Sequence, residues 1–531
     1  MRFVVVSADK NAPMPERFNA STALIDRHVE LGDGNRVAIY AESATLTYND
    51  TLAEIKRVAA GLRNQGIRPE ERIGIVLTDS VFFVGAVLGA MRIGAIPVLV
   101  NPLLPVRDVA LILADARVRL AILSSDRLGA PDVAALRAGA PEIETVVSTK
   151  DWEEAFPATF PPRDGVPYDT WDESPGFWLC TSGSTGQPKL VMHRHIDLLS
   201  PALGYAQDVL GINRDDICYS VGPAFHAYGL GNSIAFPFSV GAATVLVPTR
   251  PPTPTLVANV MAKYKPTLFF SIPTFTAALN ASDLPEETFA SVRLGISAAE
   301  ALPAESYSRF LDRFGVQILD GIGSTELAHI YCSNRPGAEG TRPGTSGTPV
   351  LGHDLRLVDE AGAEVTEPDQ PGQLLVSGPA LATGYWCRTD QNRRSFDGAF
   401  LRTGDMYARS ADGFYTYLGR ADDMLRVGGE WVSPAEVEAV LMEHRSVLEA
   451  AIVGERDDAG VLRPVAFVIT AANVVDHGAT QVALQAHCRE RLAGYKRPKR
   501  YEFVEALPKT ATGKIQRFKL RAVEQPLDSA Q

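Results

Sequence analysis

The chain has 531 residues, 46% hydrophobic and 21% charged, with a net charge of −12. That length requires two or more cores, and the acidic balance argues against sequence-independent nucleic-acid binding. Cys180, Cys218, Cys332, Cys387 and Cys488 are scattered without CxxC spacing, which excludes a disulfide framework or zinc site and predicts reduced thiols in a soluble, cytoplasmic protein.

The short apolar run Phe3-Val4-Val5-Val6 is too little for a signal peptide. Thr51 and Glu54 have capping-box spacing, and Leu52, Ile55, Ala59 and Leu62 recur at helical intervals, predicting a helix that opens there. A strand is expected over 72–77. The most apolar region, 81–100, is broken by Arg92, Gly94 and Pro97. It reads as a buried helix followed by a strand rather than a membrane span. Further short apolar runs at 120–123, 146–148, 243–247, 267–270, 292–296 and 316–319 alternate with helical stretches. Strands separated by helices imply parallel β-α-β units, here in two layers.

Within this alternation lies Thr181-Ser182-Gly183-Ser184-Thr185-Gly186-Gln187-Pro188-Lys189, between the apolar runs 177–180 and 190–192. The pattern predicts a strand–loop–strand hairpin. Its glycines let backbone N–H groups close on a phosphate, while the hydroxyls and lysine add donors and charge. The competing reading, a flexible linker, fits poorly between two apolar strands. A Walker loop requires G-x-x-x-x-G-K-[ST] before a helix; here Gly183 and Gly186 are three apart and Leu190 follows Lys189. His193 and His195 alternate on the second strand and so share a face, with no third ligand in view for a metal.

The segment Asp320-Gly321-Ile322-Gly323-Ser324-Thr325-Glu326 follows a predicted strand, and Glu326 is a hard oxygen ligand of the kind Mg²⁺ takes beside phosphates. Thr403-Gly404-Asp405, Gly419-Arg420-Ala421-Asp422-Asp423 and Lys509-Thr510-Ala511-Thr512-Gly513-Lys514-Ile515 come next. Ser433-Pro434-Ala435-Glu436 is a capping box with proline at the first helical position. A strand pair at 449–453 and 464–469 and a helix near 482–492 complete a small α+β unit. Basic residues crowd 496–521, either as a solvated face or as an attraction for phosphate-bearing ligands.

In this order and at these separations, the motifs make the chain resemble the acyl-adenylate-forming superfamily over roughly residues 20–521. Within it, the chain looks most like the benzoate-CoA ligases, on 227–232, 318–326, His329-Ile330, 433–438 and 509–517. The resemblance implies an α/β protein: a large N-terminal domain of layered α/β sheets over 1–421 and a small mobile α+β lid over 422–531. It implies ATP-dependent activation of benzoate or a substituted benzoate as the acyl-adenylate, then transfer to coenzyme A with release of AMP and pyrophosphate. The alternative acceptor is a carrier-protein phosphopantetheine; a luciferase-like oxygenase and a non-enzymatic nucleotide binder are further readings.

By the same resemblance, Thr181, Ser182, Gly183, Ser184, Thr185, Gly186 and Lys189 hold the phosphates, and Thr185 and Glu326 form the Mg²⁺-linked pair. Ala299, Glu300, Asp320, Gly321, Ile322 and Thr325 belong to the nucleotide site, with Asp405 on the ribose and Arg420 near the ribose or a phosphate. Lys514 is the adenylation lysine, Asp422 the hinge, and Gly428 and Gly429 part of the pantetheine tunnel. Ala227, Tyr228, Gly323, His329 and Ile330 form the aryl-acid pocket, a slot suited to a flat ring. Leu190 stands where the family usually has glycine, and His226 where benzoate-specific members carry an aromatic, which leaves the ring substituents open. The expected partners are a small aromatic acid, ATP and coenzyme A, with no nucleic acid or membrane and a monomeric or homodimeric assembly.

Overall fold

The structure, a computed structural model, describes residues 17–125, 130–161, 165–182, 188–427, 430–457, 462–471, 476–509 and 515–522. Gly183, Ser184, Thr185, Gly186, Gly428, Gly429 and Lys514 lie outside the described residues.

Two sheets organise the large N-terminal part. A seven-stranded sheet runs Gly384–Tyr385, Pro188–Arg194, Pro175–Ser182, Ile96–Leu99, Arg72–Val76, Leu120–Leu123, Thr145–Ser148. Its inner strands pair in parallel and are buried on both faces, which is why they read as continuous apolar runs. A nine-stranded sheet contains Ile318–Gly323, Leu294–Ser297, Leu268–Ser271, Ile217–Ser220 and Ala243–Leu246 as its parallel centre. Helix Val81–Arg92, buried from Phe83 onward, and helix Tyr48–Asn64 contribute to one apolar core shared with residues of both sheets.

The predicted opening of the first long helix is off by one turn. Thr47 is the N-cap and exchanges hydrogen bonds with Asp50, so the helix starts at Tyr48. Thr51 lies inside it, 1% exposed, with its hydroxyl on the Thr47 carbonyl. Both Thr–acid pairs have cap spacing, and burial decides between them. A second departure is His195. The strand ends at Arg194 and His195 opens helix His195–Pro201, so the two histidines do not alternate on one strand.

A five-stranded, antiparallel sheet follows, built from Asp354–Val358, Gly372–Ser377, Phe396–Asp397, Phe400–Arg409 and Tyr415–Arg420. The C-terminal part has a three-stranded sheet, Val447–Arg456, Leu462–Thr470, Arg500–Phe503, with helices Pro434–Met442 and His477–Arg491. The Ser433 hydroxyl caps its helix by accepting from Glu436 N at 3.0 Å. The Glu436 carboxylate does not complete the box; it takes Lys496 at 2.7 Å instead.

Candidate active site

The hairpin Pro175–Ser182 with Pro188–Arg194 forms as expected, antiparallel, and its last pairs are Thr181 with Lys189 and Ser182 with Pro188. Thr181 and Lys189 therefore flank the mouth of the loop. Leu190 is buried within the second strand, paired with Cys180.

Strand Ile318–Gly323 runs into the one-turn 3₁₀ helix Thr325–Leu327, after which Ala328, at φ 60°, reverses the chain into Ile330–Ser333. The returning strand packs so closely that a Cβ on Gly323 would lie 2.5 Å from the His329 carbonyl oxygen, and one on Gly321 2.9 Å from that of Cys332. The turn presents Glu326. Its backbone carbonyl accepts from Ala382 N, and its carboxylate Oε1 accepts from the Tyr385 hydroxyl, each at 2.8 Å. The Lys189 ammonium sits 4.9 Å from the centre of the Tyr385 ring. Lys189, Tyr385 and Glu326 thus share one corner. Burial and the neighbouring Glu326 charge push the Tyr385 hydroxyl up, so it remains a donor.

The turn is held from behind by His193. Its Nε2 donates to the Thr325 carbonyl at 2.8 Å, its Nδ1 is 3.2 Å from Asp197, and its ring stacks on Phe177 at 4.9 Å. His195 is occupied elsewhere, accepting from Ala20 N.

Ala299 and Glu300 follow strand Leu294–Ser297, whose Ser297 is in register with Asp320. This places Ala299 and Glu300 close to the ends of the strand bearing Gly321 and Ile322. Ala299 takes φ 79°, a strained backbone for a residue with a Cβ and one that clusters at functional sites. Glu300 accepts from Thr274 at 2.7 Å. Asp320 is buried, its Oδ2 accepting from Leu302 N at 3.3 Å. Burial pushes its carboxyl well above the usual carboxylate range. Its Oδ1 has no hydrogen-bond partner.

Asp405 and Arg420 are register partners on adjacent strands, and Arg420 Nη1 donates to Asp405 at 2.9 Å and to the Thr403 carbonyl at 2.8 Å. A Cβ on Gly404 would lie 2.6 Å from the Arg420 guanidinium, which explains the glycine between Thr403 and Asp405. The charges of Asp405 and Glu326 both act on the buried Tyr331 hydroxyl, which links the two clusters. Asp422 lies in the 3₁₀ turn Ala421–Asp423 that leads into the C-terminal part.

The expected pocket residues are also neighbours. His329 is 3% exposed, with rings of Phe236, Tyr228 and Tyr205 at 4.4, 5.3 and 5.6 Å. Its Nε2 faces two acceptors, Asn232 Oδ1 at 3.0 Å and the Tyr228 carbonyl at 3.2 Å, and so carries the proton. Burial lowers its pKa to about 3. Because the folded pKa lies below the ordinary 6.5, the stability tied to this neutral ring is complete above about pH 6.5 and falls as pH drops toward about 3. We expect histidine ring NMR shifts to show His329 neutral from about pH 8 to about pH 4.5. A titration near pH 6.5 would contradict its packing. Tyr228 donates to the Ser271 carbonyl at 3.1 Å, Ala227 and Ile330 are buried, and His226 precedes the short helix Ala227–Leu230.

The AMP-binding enzyme family matches residues 26–386, and the AMP-binding enzyme C-terminal domain matches 436–514. The chain belongs to the AMP-binding enzyme family. The benzoate–CoA ligase of Thauera aromatica is 40% identical over 96% of this chain and 97% of its own. A 4-hydroxybenzoate–CoA/benzoate–CoA ligase of Rhodopseudomonas palustris is 38% identical over 96% and 95%. The crystal structure of an anthranilate CoA ligase in complex with anthranoyl-AMP superposes with a TM-score of 0.90 at 36% identity, covering 96% of this chain and 98% of that one. The AMP-binding architecture accounts for the large N-terminal and small C-terminal parts.

Tyr385, His193 and Asn232 were not foreseen as site residues. Only Gly384-Tyr385, a short aromatic step after a turn, carries a local signal, and it is weak.

Proposed function

We infer that the protein is an AMP-forming aryl-CoA ligase that activates benzoate or a close relative. The observation that carries this reading is the pairing of two sites in one α/β body. One is the Lys189–Tyr385–Glu326 corner; the other is the buried cluster of His329 with Tyr228, Phe236 and Asn232, against which we place the aryl acid. Full-length relatives that are themselves aryl-CoA ligases support coenzyme A, rather than a carrier protein, as the acceptor.

In this reading the loop 181–189 grips the β- and γ-phosphates and Asp405 takes the ribose hydroxyls. Arg420 stands close by, and the adenine lies along Ala299, Glu300, Gly321 and Ile322. Glu326 and Thr185 supply one carboxylate and one hydroxyl, a hard oxygen set that suits Mg²⁺ when phosphates and water complete it. The bound ion would neutralise phosphate charge. Transfer of this kind is mostly positioning and charge stabilisation. Lys514 then meets the attacking carboxylate and the α-phosphate. Since a cation there obstructs the thiol, the lid from 422 onward rotates about Asp422, leaving 1–421 as the body, and Gly428 and Gly429 admit the pantetheine. The five free cysteines fit a reducing compartment, the cytoplasm.

The test is AMP release with ATP, Mg²⁺ and coenzyme A over benzoates, cinnamates and short fatty acids. Turnover confined to small aryl acids supports the reading; turnover only with fatty acids or only with a carrier protein overturns it. His329→Ala is expected to raise KM for the aryl acid by roughly tenfold and KM for ATP by much less, since it opens the slot and leaves Asn232 Oδ1 unpaired. A change confined to the ATP parameter would remove His329 from the pocket.

A further inference from the structure

Asp79 and Arg250 form an ion pair with side chains only 3% and 5% exposed, and the adenylation chemistry uses neither. Asp79 precedes helix Val81–Arg92, and Arg250 follows strand Ala243–Leu246. The Arg250 guanidinium donates to Asp79 Oδ2 through Nη2 and to the Val221 carbonyl through Nη1 at 2.9 Å. The other Asp79 oxygen accepts from Ala224 N at 2.9 Å. The pair therefore grips both ends of the segment 221–224. Burying two charges costs several kcal/mol per ion, and a well-packed apolar pair is often as stable, so stability alone is a weak reason for this arrangement.

What the grip reaches gives a better one. The segment leads directly into helix Ala227–Leu230, which carries two walls of the aryl slot. There is no slack between them. A Cβ on Gly229 would lie 2.1 Å from the Pro223 carbonyl oxygen, and one on Gly222 3.0 Å from the Tyr228 ring. Any shift of 221–224 is passed to Tyr228 and Ala227, because close-packed interiors transmit displacement rather than absorb it.

We propose that the Asp79–Arg250 pair is a positioning device for the aryl-acid pocket. It fixes Tyr228 and Ala227 through the backbone of 221–224, and so sets the affinity and selectivity for the acid without touching it. This rests on the aryl-CoA ligase reading for what fills the slot, but not for the grip itself.

Asp79→Asn keeps an oxygen for the Ala224 amide and removes the charge facing Arg250; Arg250→Lys keeps a cation and loses the fork that spans Asp79 and Val221. Both are expected to raise KM for benzoate roughly tenfold or more, with KM for ATP within about twofold and preference among ring-substituted benzoates broadened. The double variant Asp79→Leu/Arg250→Met removes both charges together; it is expected to keep the melting temperature and still lose acid affinity. Amide exchange across 219–230 should quicken in all three relative to 294–300. Equal rises in both KM values, or an unchanged acid KM in folded variants, would overturn the proposal. If the wild-type enzyme ignores aryl acids, the ligase reading falls and exchange decides the grip: unchanged protection of 219–230 overturns it, and quickened exchange there upholds it.

Discussion

Lys514→Ala is expected to slow adenylate formation by about 10²–10³ while leaving most of the conversion of supplied benzoyl-adenylate to benzoyl-CoA intact. The described residues that flank 510–514 in sequence are held together. Lys509 and Ile515 form an antiparallel bridge, and Gln516 N donates to the Pro508 carbonyl at 2.8 Å. Lys509 meets Glu449 at 2.6 Å, and Arg517 makes two bonds of 2.8 Å to the buried Glu438. Arg517 also reaches to within 3.6 Å of Asp423, beside the proposed hinge. These contacts hold the residues on either side of 510–514 through other side chains and the backbone, so truncating Lys514 is expected to remove a charge and leave the fold of the C-terminal part. A group that acts in one transition state only should affect one half-reaction only. Pyrophosphate exchange measures the first half and thioester formation from added adenylate the second. Equal losses in both would end the assignment of Lys514 to adenylation.

The sequence shows where a chain is locally self-consistent, and this one is so along its parallel strands. Buried on both faces, most appear as apolar runs between helices close to their expected places, whereas Ile217–Ser220 went unforeseen and the run expected at 316–319 extends to Gly323. The five-stranded sheet spanning 354–420 went unforeseen because its strands are half-exposed, with mixed patterns such as that of Asp354–Val358. Strand Arg500–Phe503 is hidden for a similar reason: it follows a basic run, and only its parallel partner Leu462–Thr470 makes it a strand. The site divides the same way. The motifs around Lys189, Glu326, Asp405 and Arg420 are legible as local sequence patterns, and the structure brings Lys189 to Glu326 through Tyr385 and Asp405 to Arg420. Tyr385 meets Glu326 across 59 residues, His193 meets Thr325 across 132, and Arg250 meets Asp79 across 171. No local pattern encodes such pairs, and they are the ones that hold the legible residues in position.

Glu326→Gln is expected to cost about 10² in kcat/KM and to raise the Mg²⁺ concentration needed for half-maximal rate, since an amide offers no charge to a hard cation. Tyr385→Phe tests how the carboxylate is held. The ring, with Lys189 at 4.9 Å, stays, and only the 2.8 Å hydrogen bond to Oε1 is lost. Removing an outer partner of a metal ligand typically costs 10–100-fold in metal affinity or activity, so roughly tenfold with a matching shift in Mg²⁺ dependence is the expected result. An unchanged Mg²⁺ dependence in Glu326→Gln would remove Glu326 from the metal site. The double variant separates the two ways in which Tyr385 can act. If its hydroxyl works only through the Glu326 carboxylate, Tyr385→Phe adds little once Glu326 is already glutamine, and the two losses are strongly non-additive. Losses that multiply would mean that Tyr385 serves the nucleotide independently, most directly by holding Lys189 over its ring at the mouth of the phosphate loop.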